Sequence, residues 1–276
     1  MARAEFDGIA DVYDDTRRAL DAQTLAGVKG AFSAHGCSKI LEVGVGTGRV
    51  SVPLMSKGFE MTGLDLSKKM MEVAREKGHS RLVLGDGMEA PFKEESFDAV
   101  LLAHVIHLVE DPVGVLGEGG RVSRVGVFAL LRKREEGRWS PYSMLGDQPG
   151  GDAEERRAWF RRLAEKYNWS WEKNRTHDWG RERRLVEEVP PDELAVVSDV
   201  QVSESLEQRI ARFEKGGYTD FASMPPGMKA ELIAAMKRRE PPVASPRREV
   251  HQLAFWSSGR LRAGAGRGPS GRGSPP

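Results

Sequence analysis

A glycine-rich loop directly after an apolar segment is the first feature that could do chemistry. The segment Ile40 to Val50 reads ILEVGVGTGRV, with Glu42 just ahead of Gly44, Gly46 and Gly48. Glycine permits positive φ and a close approach of the backbone to a ligand, and the start of a following helix offers amide donors. The dinucleotide fingerprint is GxGxxG, whereas this loop reads GxGxG. The acid beside it suits a ligand ammonium and would repel a pyrophosphate.

Two further carboxylates follow the next apolar segments. Asp65 ends the run Gly63 to Asp65, and Asp86 stands within Gly85 to Met88. At a strand tip, a carboxylate can accept hydrogen bonds from both hydroxyls of a ribose, and a carboxylate or nearby backbone can meet an adenine edge. Each acid alone is typical of a helix cap or a turn. Three acids at the ends of three consecutive strands, together with the glycine loop, favour a ligand site.

Two histidines follow the fourth apolar segment. His104 and His107 come directly after the run Phe97 to Ala103. Histidine has a reference pKa of about 6.5 and can take a proton from a hydroxyl or an amine. The alternative is that one or both only pack or bond to backbone. Both are therefore candidate catalytic residues.

The elements that would position these residues alternate between strands and helices. Helical stretches such as Ser67 to Lys77 carry a capping residue at the start and a glycine, Gly78, at the end. The strands read as nearly continuous apolar runs, which is typical of a mainly parallel sheet buried on both faces. The predicted strands are Ile40 to Val43, Glu60 to Leu64, Arg81 to Leu84, Phe97 to Ala103 and Arg124 to Leu131. We expect a doubly wound α/β fold with a Rossmann-like sheet of about seven strands and helices on both faces.

The second half of the chain changes composition. Five of the six tryptophans lie among Arg and Glu residues between Gly137 and Arg184, which predicts an amphipathic helical segment. A strand-like run, Leu194 to Val202, precedes two further helices, Glu204 to Lys215 and Pro226 to Arg239. A last apolar run, Val250 to Trp256, is predicted to return to the sheet as an edge strand.

These elements predict one domain over residues 1–256, with helical insertions at about 137–187 and 203–240. The helical pair comes before the last strand and is expected to form a cover over an acceptor pocket, with Gly216 and Gly217 as a hinge. Tyr218 and Phe221 could present their rings to an acceptor, or could only pin the helices to the core. The stretch Ser257 to Pro276 has no apolar periodicity and is predicted to be disordered.

Charge and cysteine content bear on the cellular location of the protein and do not indicate a binding partner. The formal net charge is +1, from 42 basic and 41 acidic residues, so no overall field would attract nucleic acid or an anionic membrane. The single cysteine, Cys37, cannot form an internal disulfide. We expect a cytoplasmic protein without a membrane span, a resident metal or a nucleic-acid partner. The sequence leaves the oligomeric state open.

The ordered motifs resemble those of class I S-adenosylmethionine-dependent methyltransferases, nearest to the group that includes ubiquinone and menaquinone C-methyltransferases. The resemblance covers roughly Phe6 to Phe128 and rests on FDGIADVYDDTR, ILEVGVGTGRVSVPL, GLDLS, GDGMEAPFKEESFDAV and HVIHLVEDP. It implies that S-adenosylmethionine is the cofactor and that Tyr13 closes over it. The cofactor contacts that it implies are Tyr13, Glu42, Gly44, Gly46, Gly48, Asp65, Leu66, Asp86, Gly87, Met88 and His104.

One segment departs from the family pattern. Members of the family usually carry a proline-glycine-glycine turn before the fifth strand, whereas this chain has Val125 and Gly126 there and a Gly119–Gly120 pair upstream. We expect the sheet to survive this change and the local turn to differ.

The resemblance predicts a methyltransferase that acts on a small molecule, and three alternatives remain. Carbon-5 methylation of pyrimidines generally needs a Cys nucleophile, and Cys37 precedes the loop. The planar-amine methylators carry an Asn or Asp, Pro, Pro, aromatic motif after strand four, where this chain has Ala103 to Ile106. The alternatives are an RNA methyltransferase that uses the interleaved Arg and Trp residues, a non-catalytic cofactor-binding protein, and an NAD-dependent dehydrogenase.

Overall fold

The chain forms two compact units in a computed structural model. The structure describes residues 6–133, 153–171, 178, 180–216, 221, 223–238 and 247–265. The first, here called the helical unit, comprises Met1–Ala19, Lys133–Asp178 and Asp199–Val250. The second, here called the sheet unit, comprises Leu20–Arg132, Trp179–Ser198 and His251–Pro276. The insertion expected at about 203–240 thus falls in the helical unit, whereas the insertion at 137–187 is divided between the two units.

Seven strands form one sheet in the order β3-β2-β1-β4-β5-β7-β6. Strand β1 pairs in parallel with β2 and β4, β2 with β3, and β4 with β5. The strands are β1 Lys39–Val43, β2 Glu60–Asp65, β3 Leu82–Leu84, β4 Phe97–Ala103, β5 Ser123–Lys133, β6 Glu193–Val202 and β7 Arg247–Ser257. The doubly wound, mainly parallel Rossmann-like sheet is confirmed. The prediction that the last strand lies at the edge is wrong, because β7 lies between β5 and β6, and β6 is the edge strand.

Helices connect the strands along the described parts of the chain. They are α1 Ala22–Ala34, α2 Ser51–Met55, α3 Lys68–Glu76, α4 Pro112–Val122, α5 Ala153–Lys166, α6 Gly180–Glu188, α7 Leu206–Glu214, α8 Pro226–Lys237 and α9 Ser258–Ala265. Short 3-10 helices cover Ala10–Val12 and Asp14–Thr16. The predicted cap of α3 is confirmed, since the Ser67 side chain accepts from the Met70 amide at 3.1 Å. Gly78 closes that helix with a φ of 94°.

Side chains from alternate positions of the strands enter two separate hydrophobic clusters of the sheet unit. In β4, Val100 and Leu102 belong to one cluster, whereas Ala99 and Leu101 belong to the other. Successive side chains of a strand point to opposite faces of a sheet. Both faces are therefore buried, which explains the nearly continuous apolar runs in the sequence.

The helical unit has a hydrophobic cluster of its own. Trp169 stacks on Phe221 with ring centroids 6.1 Å apart, and Phe213 meets Phe221 edge-on at 5.6 Å. Trp159 and Trp171 pack against the same cluster. The three tryptophans of the 137–184 segment whose packing is described thus point into the unit; Trp139 and Trp179 lie outside the described residues.

The first part of the expected disordered tail is a helix, α9, and this prediction is wrong for residues 258–265. Leu261 is buried against α4, and a Cβ added at Gly120 would stand 2.7 Å from the Leu261 Cβ. Ser258 is also buried, and its hydroxyl lies 2.7 Å from that of Ser123. Arg260 also pairs with Asp192, and Arg262 donates to the Gly120 and Ser123 carbonyls, so the segment is held by several contacts. Residues 266–276 lie outside the described part.

The sheet is intact, as expected, at Val125 and Gly126, where members of the family usually carry a proline-glycine-glycine turn. Strand β5 begins directly after α4, and an irregularity lies in the β4–β5 register between the Phe97–Ser123 and Ala99–Gly126 pairs. Close packing explains the Gly119–Gly120 pair upstream of this segment, because a Cβ added at Gly119 would lie 2.8 Å from Val127. The glycines therefore let α4 approach β5 and α9 closely.

Candidate cofactor-binding site

Strand register brings the glycine loop, Asp65 and His104 to one edge of the sheet. Val43, the last residue of β1, pairs with Leu64 of β2 and with Leu102 of β4. The residues just after these strands therefore lie side by side at the carboxyl ends. In open α/β sheets this is the edge where ligands bind.

The glycine loop needs its glycines for conformation. Gly44, Gly46 and Gly48 have φ values of 74°, 54° and 75°. Side chains at Gly44 and Gly48 would also collide with Val105 and Val52. A Cβ at Gly46 would meet no atom within 4 Å, so the space beside its backbone is open. The middle of the loop can therefore accept a ligand against the main chain.

Asp65 ties this loop to the end of β2. Its Oδ2 accepts from the Gly46 amide at 2.7 Å, and its Oδ1 accepts from the Ser67 amide at 2.8 Å. These two bonds fix the carboxylate at the tip of β2, beside the glycine loop.

Glu42 is a buried acid with an unsatisfied oxygen. Its Oε2 is buried and has no hydrogen-bond partner among the described residues. Burial raises the pKa of Glu42 to about 8, and the charge of Asp65 acts in the same direction, whereas Ser51 and Arg49 oppose the shift. A buried polar atom without a partner is costly. A ligand ammonium beside Glu42 would satisfy Oε2 and favour the ionised carboxylate.

The end of β3 supplies a turn and exposed apolar surface. The Asp86 Oδ1 accepts from the Met88 amide at 2.9 Å, and a Cβ at Gly87 would lie 2.4 Å from Val43. Met88 is 37% exposed, and Leu66, directly after β2, is 43% exposed. A flat apolar group such as an adenine would cover such side chains favourably.

His104 stands directly after β4 in a left-handed conformation, with a φ of 55°. Burial lowers its pKa well below the usual value, and the positive charge of Arg132 and the neighbouring His251 and His107 act in the same direction. His104 is therefore neutral at pH 7, and one of its ring nitrogens can accept a hydrogen bond.

His251 is a neighbour of His104 that the sequence does not reveal. The two rings lie 5.5 Å apart. The Nδ1 of His251 lies 3.2 Å from the Thr24 hydroxyl and 3.6 Å from the Asp21 carboxylate. The ring of His251 is buried, so these two groups fix its orientation. No sequence signal links them, because Thr24 and His251 are 227 positions apart.

His107 is held by a second acid that sequence reasoning missed. Its Nδ1 lies 3.2 Å from the Oε1 of Glu182, and both side chains are buried. The Oε2 of Glu182 accepts from the Arg132 amide at 3.0 Å. This arrangement orients the imidazole of His107 and links α6 to the start of the β4–α4 connection. A direct role of His107 in catalysis stays a prediction.

The remaining predicted site residues belong to the helical unit. Tyr13 is partly buried; the Arg17 guanidinium lies 4.7 Å from the centre of its ring. Phe221 is 5% exposed and packs against Trp169 and Phe213, the pinning role that its sequence context also allowed. Tyr218 lies outside the described residues.

Comparison with known proteins agrees with this geometry. Residues 41–131 match a family model described as a methyltransferase domain. A demethylmenaquinone methyltransferase from Streptomyces griseus is 30% identical over 143 residues, which are 50% of this chain and 62% of that protein. A phosphatidylethanolamine N-methyltransferase from Cereibacter sphaeroides is 39% identical over 95 residues, 32% of this chain and 46% of that protein. Residues 41–131 are therefore similar to a methyltransferase domain.

The matched segment extends over the cofactor edge described above, since it contains β2, β3, β4 and most of β1 and β5. The solved structure of YcgJ from Bacillus subtilis has the same fold, with a TM-score of 0.50 at 15% identity over 85% of this chain and 97% of that chain. The chain spans less than two thirds of the length of the two curated relatives named above. Among the described residues, no helix is both long and apolar enough to cross a membrane.

Proposed function

We propose that this chain transfers a methyl group from S-adenosylmethionine to a small-molecule acceptor. The observation that carries the proposal is Glu42, whose buried Oε2 has no partner beside a glycine loop with open space at Gly46. A ligand ammonium in that space would donate a hydrogen bond to the Glu42 carboxylate and favour its ionised form. S-adenosylmethionine carries that ammonium together with a ribose, an adenine and an electrophilic methyl group on its sulfonium.

The neighbouring residues fit the rest of this ligand. Asp65 is held by backbone amides at the tip of β2 and is proposed to accept hydrogen bonds from the two ribose hydroxyls. Asp86 and Met88 are proposed to meet the adenine, and the exposed side chain of Leu66 is proposed to contribute apolar surface. Tyr13 is proposed to close over the ligand, as the family resemblance implies.

Methyl transfer from a sulfonium mainly requires that nucleophile and methyl group are held in line, and orientation alone contributes effective molarities of roughly 10⁵ to 10⁸ M. His104 is proposed to stand near the methyl group and to accept a proton from an acceptor hydroxyl or amine. His251, held by Thr24 and Asp21, packs edge-on against the His104 ring at 5.5 Å. His107 is proposed as the second candidate, oriented by Glu182.

The acceptor is proposed to be a small molecule because the similar methyltransferases act on such compounds by name. Demethylmenaquinone and phosphatidylethanolamine are the acceptor classes that those names offer. Tyr218 and Phe221 are proposed to belong to the acceptor side of the molecule, with the α7–α8 pair as its cover. The packing of Trp169, which is buried, disfavours the RNA alternative for this ring, since a buried ring cannot stack on a base.

The experiment is a transfer assay with S-adenosylmethionine labelled at its methyl group. The full chain is incubated in parallel with demethylmenaquinone, phosphatidylethanolamine, a low-molecular-weight cell extract and total RNA. We expect label in a small-molecule fraction, and less label at limiting S-adenosylmethionine when Asp65→Ala replaces the parent. Label confined to RNA would contradict the proposal. Tight binding of the cofactor without transfer to any fraction would favour a non-catalytic binding protein instead.

A further inference from the structure

A network of hydrogen bonds joins the start of α1 to strands β6 and β7 within the sheet unit. Asp21 caps α1, and its Oδ1 accepts from the Thr24 amide at 2.9 Å and from the Ser198 hydroxyl at 3.0 Å. Its Oδ2 accepts from the Thr24 hydroxyl at 2.6 Å. The Nδ1 of His251 lies 3.2 Å from that hydroxyl oxygen and 3.6 Å from Oδ2. Thr24, Ser198 and His251 are buried, so these contacts orient their side chains.

The carboxylate of Asp21 is ionised at neutral pH. Burial acts to raise its pKa, but hydrogen bonds from the side chain and amide of Thr24 and from Ser198, together with the charge of His251, hold the pKa below its usual value. An ionised carboxylate can only accept hydrogen bonds. The single hydroxyl proton of Thr24 is therefore committed to Asp21.

This commitment decides which nitrogen of His251 carries the hydrogen when the ring is neutral. A hydroxyl has one proton to donate, and its oxygen can still accept. Because the Thr24 proton points to Asp21, both oxygen atoms near Nδ1 can only accept from it. Nδ1 must therefore be the donor, and the lone pair of the neutral ring lies on Nε2.

The ring that this network orients lies against His104. The two ring centroids are 5.5 Å apart, and the ring planes meet at 63°. His104 follows β4 in a left-handed conformation, outside the regular strand, where neighbouring side chains must hold its ring. A side chain that acts on a ligand needs neighbours that fix its rotamer. His251 is such a neighbour, and it is itself fixed from α1.

We propose that His251 is a positioning residue for His104, and that Asp21 and Thr24 hold it for this purpose as the Nδ1–H tautomer. An acid that accepts from Nδ1–H is an established way to fix both the tautomer and the orientation of an imidazole. The effect on turnover rests on the proposed methyl transfer, in which His104 stands near the acceptor. The tautomer of His251 does not depend on that function.

Replacing Asp21 by Asn should reverse the tautomer. The amide oxygen of Asn must take the place of Oδ1, because only an oxygen can accept from the Thr24 amide and the Ser198 hydroxyl. The amide nitrogen then stands at the place of Oδ2 and donates to the Thr24 oxygen. The Thr24 proton turns to Nδ1 of His251, and the neutral ring becomes the Nε2–H tautomer. Asn caps a helix as well as Asp does, so α1 keeps its cap.

The tautomers are read from ¹⁵N chemical shifts in long-range ¹H–¹⁵N spectra of the full chain without S-adenosylmethionine, at a pH where the His251 ring is neutral. The signals of His104 and His251 are assigned by their loss in His104→Asn and His251→Asn. Thr24→Ser keeps the hydroxyl and loses only a methyl group. Asp111→Asn is the matched control, because Asp111 caps α4 of the same unit in the same way.

We expect the parent, Thr24→Ser and Asp111→Asn to show His251 as the Nδ1–H tautomer. Asp21→Asn should show the Nε2–H tautomer, and the ring signals of His104 should shift with it. In the transfer assay, Asp21→Asn should turn over roughly tenfold more slowly because His104 is displaced, while cofactor affinity stays within a few fold. Unchanged circular dichroism and thermal unfolding establish that each variant is folded.

Three results would overturn the proposal. They are an Nε2–H tautomer of His251 in the parent, an unchanged tautomer in Asp21→Asn, and His104 signals that stay the same when the tautomer reverses. Because the spectra use neither the cofactor nor methyl transfer, failure here and failure of the proposed methyltransferase activity are distinguishable.

Discussion

Replacing Glu42 by Gln is expected to stabilise the ligand-free chain. Burial raises the pKa of Glu42 from 4.5 to about 8, so the folded chain keeps a proton that the unfolded chain releases between these pH values. The contribution of this group to stability is therefore complete below pH 4.5 and falls as the pH rises to about 8, by roughly 1.4 kcal/mol per unit. Gln has no proton to release, so Glu42→Gln should raise the free energy of unfolding at pH 7 by about 2 to 4 kcal/mol. Urea denaturation at pH 5 and pH 7 measures this.

The same substitution should weaken cofactor binding. If the ammonium of S-adenosylmethionine needs the ionised carboxylate, binding must remove the proton of Glu42 at any pH below about 8. The dissociation constant of the parent should then fall about tenfold between pH 6 and pH 7, with close to one proton released at pH 7. Glu42→Gln should show neither effect, and at pH 8 it should bind roughly 10- to 150-fold more weakly because a charge-assisted bond of about 1.5 to 3 kcal/mol is lost.

Isothermal titration calorimetry in two buffers of different ionisation enthalpy measures affinity and proton release together. Glu72→Gln is a matched control, because Glu72 is exposed on α3 of the same unit and should leave stability and binding unchanged. A variant at Glu42 that binds the cofactor as tightly as the parent, with the same dependence on pH, would refute the reasoning.

Three further substitutions test separate parts of the account. Asp65→Ala should bind S-adenosylmethionine roughly 10- to 150-fold more weakly in calorimetry, because charge-assisted bonds to the ribose of about 1.5 to 3 kcal/mol are lost. An affinity equal to that of the parent, in a folded variant, would show that Asp65 does not bind the ribose. His104→Asn tolerates the positive φ of this position and should lower turnover while cofactor affinity stays within a few fold; unchanged turnover would assign His104 to packing. Phe221→Ala should lower the free energy of unfolding by about 3 to 5 kcal/mol in urea denaturation, because the ring is buried against Trp169 and Phe213, and a loss below about 1 kcal/mol would contradict that packing.

The sheet and the cofactor edge could be predicted because their signals are local. Each parallel strand is an apolar run, and the glycines and acids just after the strands indicate which ligand groups can bind at their carboxyl ends. Gly44, Gly46 and Gly48 all adopt the positive φ that makes glycine necessary there. Ser67 and Gly78 mark the ends of α3 by capping chemistry that acts within a few residues.

The missed features depend on contacts between distant parts of the chain. The interior position of β7 follows from pairing with β5 and β6, which no periodicity reveals. Helix α9 has little apolar content of its own, and its contacts are with distant residues: Leu261 packs beside Gly120 on α4, and Arg260 pairs with Asp192. The pairing of His107 with Glu182 likewise joins residues 75 positions apart.

The most direct test of the central claim is a calorimetric titration of the full chain with S-adenosylmethionine, S-adenosylhomocysteine and NAD under one set of conditions. Glu42 and the open backbone at Gly46 predict that both sulfur ligands bind at one site per chain and that NAD does not bind. Tighter binding of NAD than of either sulfur ligand would contradict the account.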